Sequence, residues 1–209
     1  MSPINPPQRA ARHTWSSQTG AFAVEFALLA ALFFSVLFGI IELARVVYIF
    51  NTLQDVTRRV AHDASGTSFI DPSALNLVRR NALVLNTDGV LVFGDPVTAD
   101  HIRIDYMALA RASDGSLTLY PIPTSDLPTY PSCNNFNCTH DQNNTGANSS
   151  CIRFVRVRVC DPGNVDGCTP VDYQPLTAFF PTLALKLPTS TTIVKAGTLG
   201  YIPGQAICH

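Results

Sequence analysis

Residues 20–66 read GAFAVEFALLAALFFSVLFGIIELARVVYIFNTLQDVTRRVAHDASG. From Ala21 to Ile41 the only ionisable residue is Glu25. Coiled as a helix, that stretch is about 30 Å long, the thickness of a bilayer core. A secretory signal peptide has a shorter apolar core with a small-residue cleavage site behind it. Here Glu42-Leu43-Ala44-Arg45 follows instead. A buried core helix of a soluble enzyme rarely shows large apolar residues on all faces, as Phe33, Phe34, Leu37, Phe38, Ile40 and Ile41 do here. The sequence therefore predicts a membrane span in contact with lipid.

The helical pattern continues past the span. Leu43, Val46, Phe50, Leu53, Val56, Val60 and Ala64 recur at steps of three or four. Gln54, Asp55, Arg58, Arg59, His62 and Asp63 fill the other side. With no Pro or Gly between Glu42 and Ser65, an amphipathic stem is expected to run to a stop at Gly66. Glu42 and Arg45 have i,i+3 spacing and are placed to pair where the stem leaves the bilayer.

Asp71-Pro72 predicts an N-cap and first-turn proline for a second helix through Leu75, Val78 and Ala82, ending near Asn86–Gly89. Strand patterns then take over at His101–Tyr106, Gly115–Tyr120, Ile152–Val159 and Thr191–Ala196. In the third, Val155, Val157 and Val159 alternate with Arg156 and Arg158, which predicts one buried and one solvated face. Pro121–Ser150 is rich in Pro, Asn, Ser and Thr and reads as a long exposed loop.

Charge bears on topology and partners. Residues 1–20 carry Arg9, Arg12 and His13 and no acid, which predicts a cytoplasmic leader. Net charge is −1; removing the leader arginines leaves 12 basic against 15 acidic residues, or −3. No basic surface for nucleic acid is indicated. All six cysteines (Cys133, Cys138, Cys151, Cys160, Cys168 and Cys208) lie beyond residue 130, an even set that predicts three disulfides in an exported domain. Six cysteines allow fifteen connectivities. Neighbour pairing gives Cys133–Cys138, Cys160–Cys168 and Cys151–Cys208, with the Pro-Gly turn favouring Cys160–Cys168 most.

Other patterns yield to simpler readings. Asp63-Ala64-Ser65-Gly66-Thr67 resembles a von Willebrand-type metal motif but ends an amphipathic helix instead of following a buried strand. Cys133, Cys138, His140 and Cys151 are loosely spaced for zinc, and an exported setting favours oxidation. Asp161, Asn164 and Asp166 lack the closing glutamate and spacing of a calcium loop. The sequons at Asn137, Asn143 and Asn148 sit in an Asn-rich stretch, where such triplets arise by chance. No Ser-His-Asp order, phosphate-binding glycine loop or paired-carboxylate pattern points to an enzyme, and no metal or other cofactor is expected.

Gly20-Ala21-Phe22-Ala23-Val24-Glu25-Phe26 at the head of the span resembles the processing site of type IV pilins and pseudopilins. Residues 20–66 as a whole resemble the N-terminal region of the TadE-like family, minor pilins or pseudopilins of the tight-adherence (Flp) pilus. Val155–Val159 and Val171-Asp172-Tyr173-Gln174-Pro175-Leu176 resemble later parts of that family more loosely. The resemblance implies cleavage after Gly20 by a prepilin peptidase of the bacterial inner membrane. Ala21 would become the N-terminus, with Glu25 and Phe26 serving assembly among other pilin-like subunits and the pilus machinery.

The expected fold is α+β and pilin-like. It comprises a leader (1–20), a membrane helix with its stem (21–66), and a disulfide-braced antiparallel-sheet head (67–209) outside the cytoplasm, carrying the loop at 121–150. The rivals are an uncleaved anchor for an exported enzyme or binding domain, and a static scaffold of the secretion machinery.

Overall fold

The computed structural model of the chain describes residues 19–83, 89–112, 114–140, 150–164, 167–176, 185–204 and 208. Arg9, Arg12 and His13 of the leader, Asn86–Asp88, the sequon residues Asn143 and Asn148, and Asp166 lie outside the described residues, as does the side chain of His140. The fold is α+β, with two compact units at residues 1–41 and 42–209.

Helix α1 runs unbroken from Thr19 to Gly66. In the first unit its apolar side chains, among them Phe22, Phe26, Leu29, Phe33 and Ile40, are exposed on every side. It is long and apolar enough to cross a membrane.

In the second unit α1 becomes one-sided. Ile49, Leu53, Val56, Val60, Ala61 and Ala64 are fully buried, while Gln54, Asp55, Arg58, Arg59, His62 and Asp63 face solvent as the periodicity predicts. Leu43, expected on the buried stripe, is 65% exposed. The stripe instead begins with Glu42 and Arg45, because polar groups elsewhere in the fold meet them there. The stem's last carbonyls are satisfied from the C-terminal segment: Gly197 and Leu199 N–H donate to Ser65, and Gly200 N–H to Gly66. Gly200 has φ +77, and a Cβ there would lie 2.6 Å from Ser68 Cα, so only glycine fits this close approach. Ser65 Oγ and Thr67 Oγ1 donate to His62 and Asp63 carbonyls, closing the helix end rather than building a metal site.

Helix α2 (Pro72–Ala82) starts as predicted, with Asp71 Oδ1 accepting from Ser73 and Ala74 N–H at 2.9 and 3.1 Å. Leu75 and Ala82 are buried and Val78 packs against the same core. Strands β1 (Ile102–Arg111), β2 (Leu117–Pro121), β3 (Phe154–Val159) and β4 (Thr191–Lys195) form an antiparallel sheet in the order β2-β1-β3-β4. Ile102, Tyr106 and Ala108 of β1 join Val155, Val157 and Val159 of β3 in the stem's core. Thr57 Oγ1 meets Thr192 Oγ1 at 3.0 Å, so the stem lies along this face.

The opposite face carries Asp105 opposite Arg156, and Arg103 opposite Arg158. Asp105 accepts all three guanidinium groups at 2.7–3.1 Å, which draws the arginines expected in solvent down onto the sheet.

The segment 121–150 is not a loop throughout. A short 3-10 turn covers Thr124–Asp126, and helix α3 covers Pro131–His140. Asn134 is buried and uses its amide like a strand edge: Ile152 N–H donates to its Oδ1 at 2.6 Å, and its Nδ2 donates to Ile152 O at 3.2 Å. Cys160–Cys168 is bonded as expected. The other two expected pairs are replaced by Cys133–Cys208 and Cys138–Cys151. The reason is that Cys133 and Cys138 share one helix, which delivers each to a different neighbouring segment.

Candidate functional site

Two places on α1 concentrate chemistry. The first is its N-terminal end. Gly20 is already helical, and a Cβ there would touch nothing. Glycine weakens a helix by roughly 1 kcal/mol relative to alanine, so the turn around the Gly20–Ala21 bond unwinds more cheaply than its neighbours. Ala21, Glu25 and Phe26 are exposed, and Glu25 forms no hydrogen bond or ion pair among the described residues.

The second place is the turn where the stem begins. Glu42 and Arg45 form an ion pair at 3.6 Å and are only 4% and 8% exposed. Arg45 Nε donates to Phe93 O at 2.8 Å, Nη1 to Gln174 O at 2.6 Å and to Tyr173 Oη at 3.2 Å, and Nη2 to Asp95 O at 3.3 Å. The Tyr173 hydroxyl donates to Glu42 Oε1, and Leu176 N–H to both carboxylate oxygens at 3.2 and 3.3 Å. The guanidinium also lies 5.2 Å from the Tyr173 ring centroid. Buried charge is tolerated only when it is paired and its remaining donors and acceptors are filled, and this node meets both conditions.

Local structure positions each member. Tyr173 is held by backbone pairing of Val171–Tyr173 with Leu185–Leu187: Tyr173 N–H donates to Leu185 O and Leu187 N–H to Val171 O. Phe93 is the third residue of a turn closed by Gly94 N–H to Leu91 O at 2.9 Å. Its φ of +54 lies in the left-handed region, which costs a bulky residue about 1–3 kcal/mol.

Glu42 and Arg45 were legible as a pair from their i,i+3 spacing. Their burial was not, because the partners lie some 50 and 130 residues downstream. The only signal was Val171–Leu176 itself, a tyrosine beside Gln-Pro-Leu in a segment otherwise without charge pairing to α1.

Burial first, and then the hydrogen bond to Glu42, push the Tyr173 hydroxyl up to about 12. Burial also raises the Tyr106 hydroxyl, which lacks a hydrogen-bond partner among the described residues. Both are tyrosines whose folded state holds its proton more tightly than the unfolded chain, whose value is about 10. Their contribution is therefore complete below pH 10 and is lost as pH rises through 10 towards 12. Stability measured by urea unfolding should fall across that window, and Tyr173→Phe should reduce the fall while leaving the Tyr106 part. An unchanged alkaline limb in that variant would place the Tyr173 hydroxyl in water.

The remaining candidates resolve structurally. Cys133, Cys138 and Cys151 are consumed in disulfides and offer zinc no thiolate. Asp161 and Asn164 accept backbone N–H groups of Gly163 and Gly167 at 2.9 Å, as turn-forming side chains do. Among the described residues no three His, Cys, Asp or Glu side chains group as a metal site.

Residues 20–62 match the model of the TadE-like protein family. The match takes in Gly20, Ala21, Glu25, Phe26 and both α1 members of the buried node. No curated protein and no solved structure matches the chain.

Proposed function

We propose that the chain is a TadE-like minor pilin or pseudopilin that supports assembly of a tight-adherence pilus. Residues 21–41 hold it in the bacterial inner membrane, the leader is cytoplasmic, and the head stands on the periplasmic or extracellular side. A prepilin peptidase cleaves after Gly20. The observation that carries this reading is the family match across a helix whose span is apolar on every side yet bears one carboxylate, Glu25, unpartnered among the described residues.

Cleavage supplies what Glu25 lacks. A free α-amino group at Ala21 ionises with a pKa of about 8, so it is cationic at neutral pH. A carboxylate within a membrane helix costs roughly 2–4 kcal/mol when isolated. Pairing Glu25 of one subunit with the Ala21 amine of a neighbour offsets that cost and sets the stagger between packed helices. The unpartnered Phe22 and Phe26 provide apolar surface for the same packing. The head then acts as a rigid, disulfide-braced tip or priming surface rather than as an enzyme.

The N-terminus of the protein purified from cell envelopes tests the reading. A chain starting at Ala21 is expected, with Glu25→Ala leaving cleavage intact but abolishing pilus assembly. An intact Met1 on protein in assembled pili would overturn processing. Normal assembly by Glu25→Ala would overturn the pairing mechanism and favour an uncleaved anchor or scaffold.

A further inference from the structure

The head presents uncovered apolar side chains at the turn where α1 enters it. Phe93 is 71% exposed and Leu176 is 62% exposed. Both are fastened to the buried ion pair through their backbones: Phe93 O accepts from Arg45 Nε, and Leu176 N–H donates to Glu42. Glu42 directly follows Ile41, the end of the apolar span. Both side chains are therefore tied to the first turn of the second unit, at Glu42 and Arg45. On the solvent side of α1, Leu43, Val47 and Tyr48 are also exposed, and the first polar residue is Asn51.

The Phe93 carbonyl is used by Arg45, but among the described residues nothing covers the Phe93 side chain. Its left-handed backbone suits glycine or asparagine, yet an aromatic side chain is held there and pointed outward. Ala21 to Tyr48 is 28 residues, or about 42 Å of helix, which matches a bilayer with its headgroup zones rather than the core alone. Tyr rings are enriched at that boundary, and apolar side chains such as Phe93 and Leu176 gain by leaving water there. The charges of Glu42 and Arg45 are consumed internally, so they do not oppose such contact. The exposed Asp95 beside the turn holds it to headgroup depth.

We propose that Phe93 and Leu176, together with Tyr48, form a collar that seats the base of the head in the outer headgroup layer of the bilayer. The collar rests on the reading of residues 21–41 as a membrane span. It makes the buried ion pair a device that presents apolar side chains to lipid.

Tryptophan fluorescence in vesicles tests it. The full chain carrying Trp15→Phe is reconstituted into phosphatidylcholine–phosphatidylglycerol vesicles with tryptophan introduced as Phe93→Trp or, separately, Ile193→Trp. Ile193 adjoins Thr192, which bonds Thr57, and Thr57 lies about 22 Å along α1 from Glu42. Lipids brominated high on the acyl chain are expected to quench the Phe93→Trp emission, which is also shifted to the blue, and to leave Ile193→Trp unchanged. Three results overturn the collar while leaving the span intact, given that the chain floats with the vesicles. They are an unquenched Phe93→Trp, equal quenching at both positions, and a blue shift that follows protein density rather than bromine, the last identifying a second protein copy as the occupant. Failure to float with vesicles overturns the span reading, and the collar with it.

Discussion

Replacing Arg45 with alanine is expected to destabilise the head by about 3–5 kcal/mol, the cost of leaving one member of a buried ion pair uncompensated. Without the guanidinium, the Glu42 carboxylate stays buried with, among the described residues, the Tyr173 hydroxyl and Leu176 N–H as its remaining donors. Four carbonyl or hydroxyl acceptors on Phe93, Asp95, Tyr173 and Gln174 lose their donor at the same time. Glu42→Ala should cost a similar amount for the converse reason. The double variant Glu42→Gln/Arg45→Met should cost less than either single one, since replacing both partners removes the unmatched charge. Urea unfolding of the full chain in detergent micelles, followed by near-ultraviolet circular dichroism, reports on head packing rather than on the span. Single variants costing under about 1 kcal/mol would mean that water reaches the pair and that it behaves like a surface salt bridge.

The same node shows where sequence reading reaches and where it stops. Strand β3 was legible because its period of two survives any tertiary context: Val155, Val157 and Val159 had to share a face. The stem from Phe50 to Ala64 was legible for the same reason at a period of 3.6. At Leu43 and Arg45, hydrophobicity alone pointed the wrong way, because burial there is decided by hydrogen bonds from Phe93, Gln174 and Tyr173. Helix α3 was hidden by its composition. PSCNNFNCTH is poor in helix formers, and the pairing of Asn134 with Ile152 that holds it is non-local. The Gly20–Glu25 motif was readable as a pattern, but the chemistry proposed for it depends on a cut chain and on neighbouring subunits, neither of which one sequence encodes.

Removing Cys133–Cys208 should cost more than removing either other disulfide. In the chain-entropy account a crosslink destabilises the unfolded state according to the length of loop it closes. Separations of 75, 13 and 8 residues give about 4.5, 3 and 2.5 kcal/mol for Cys133–Cys208, Cys138–Cys151 and Cys160–Cys168. The folded state should change little on losing the longest one, since α3 remains fastened by Cys138–Cys151 and by both Asn134 hydrogen bonds to Ile152. Cys133→Ala/Cys208→Ala is therefore expected to keep its native near-ultraviolet spectrum while its unfolding midpoint in urea falls furthest of the three pairwise variants. A larger fall for Cys138→Ala/Cys151→Ala would reverse the interpretation: anchoring α3 against Ile152 in the folded state would then outweigh chain entropy. That outcome would assign the stability of this poor helix former to its short staple, with the link to the C-terminal segment secondary.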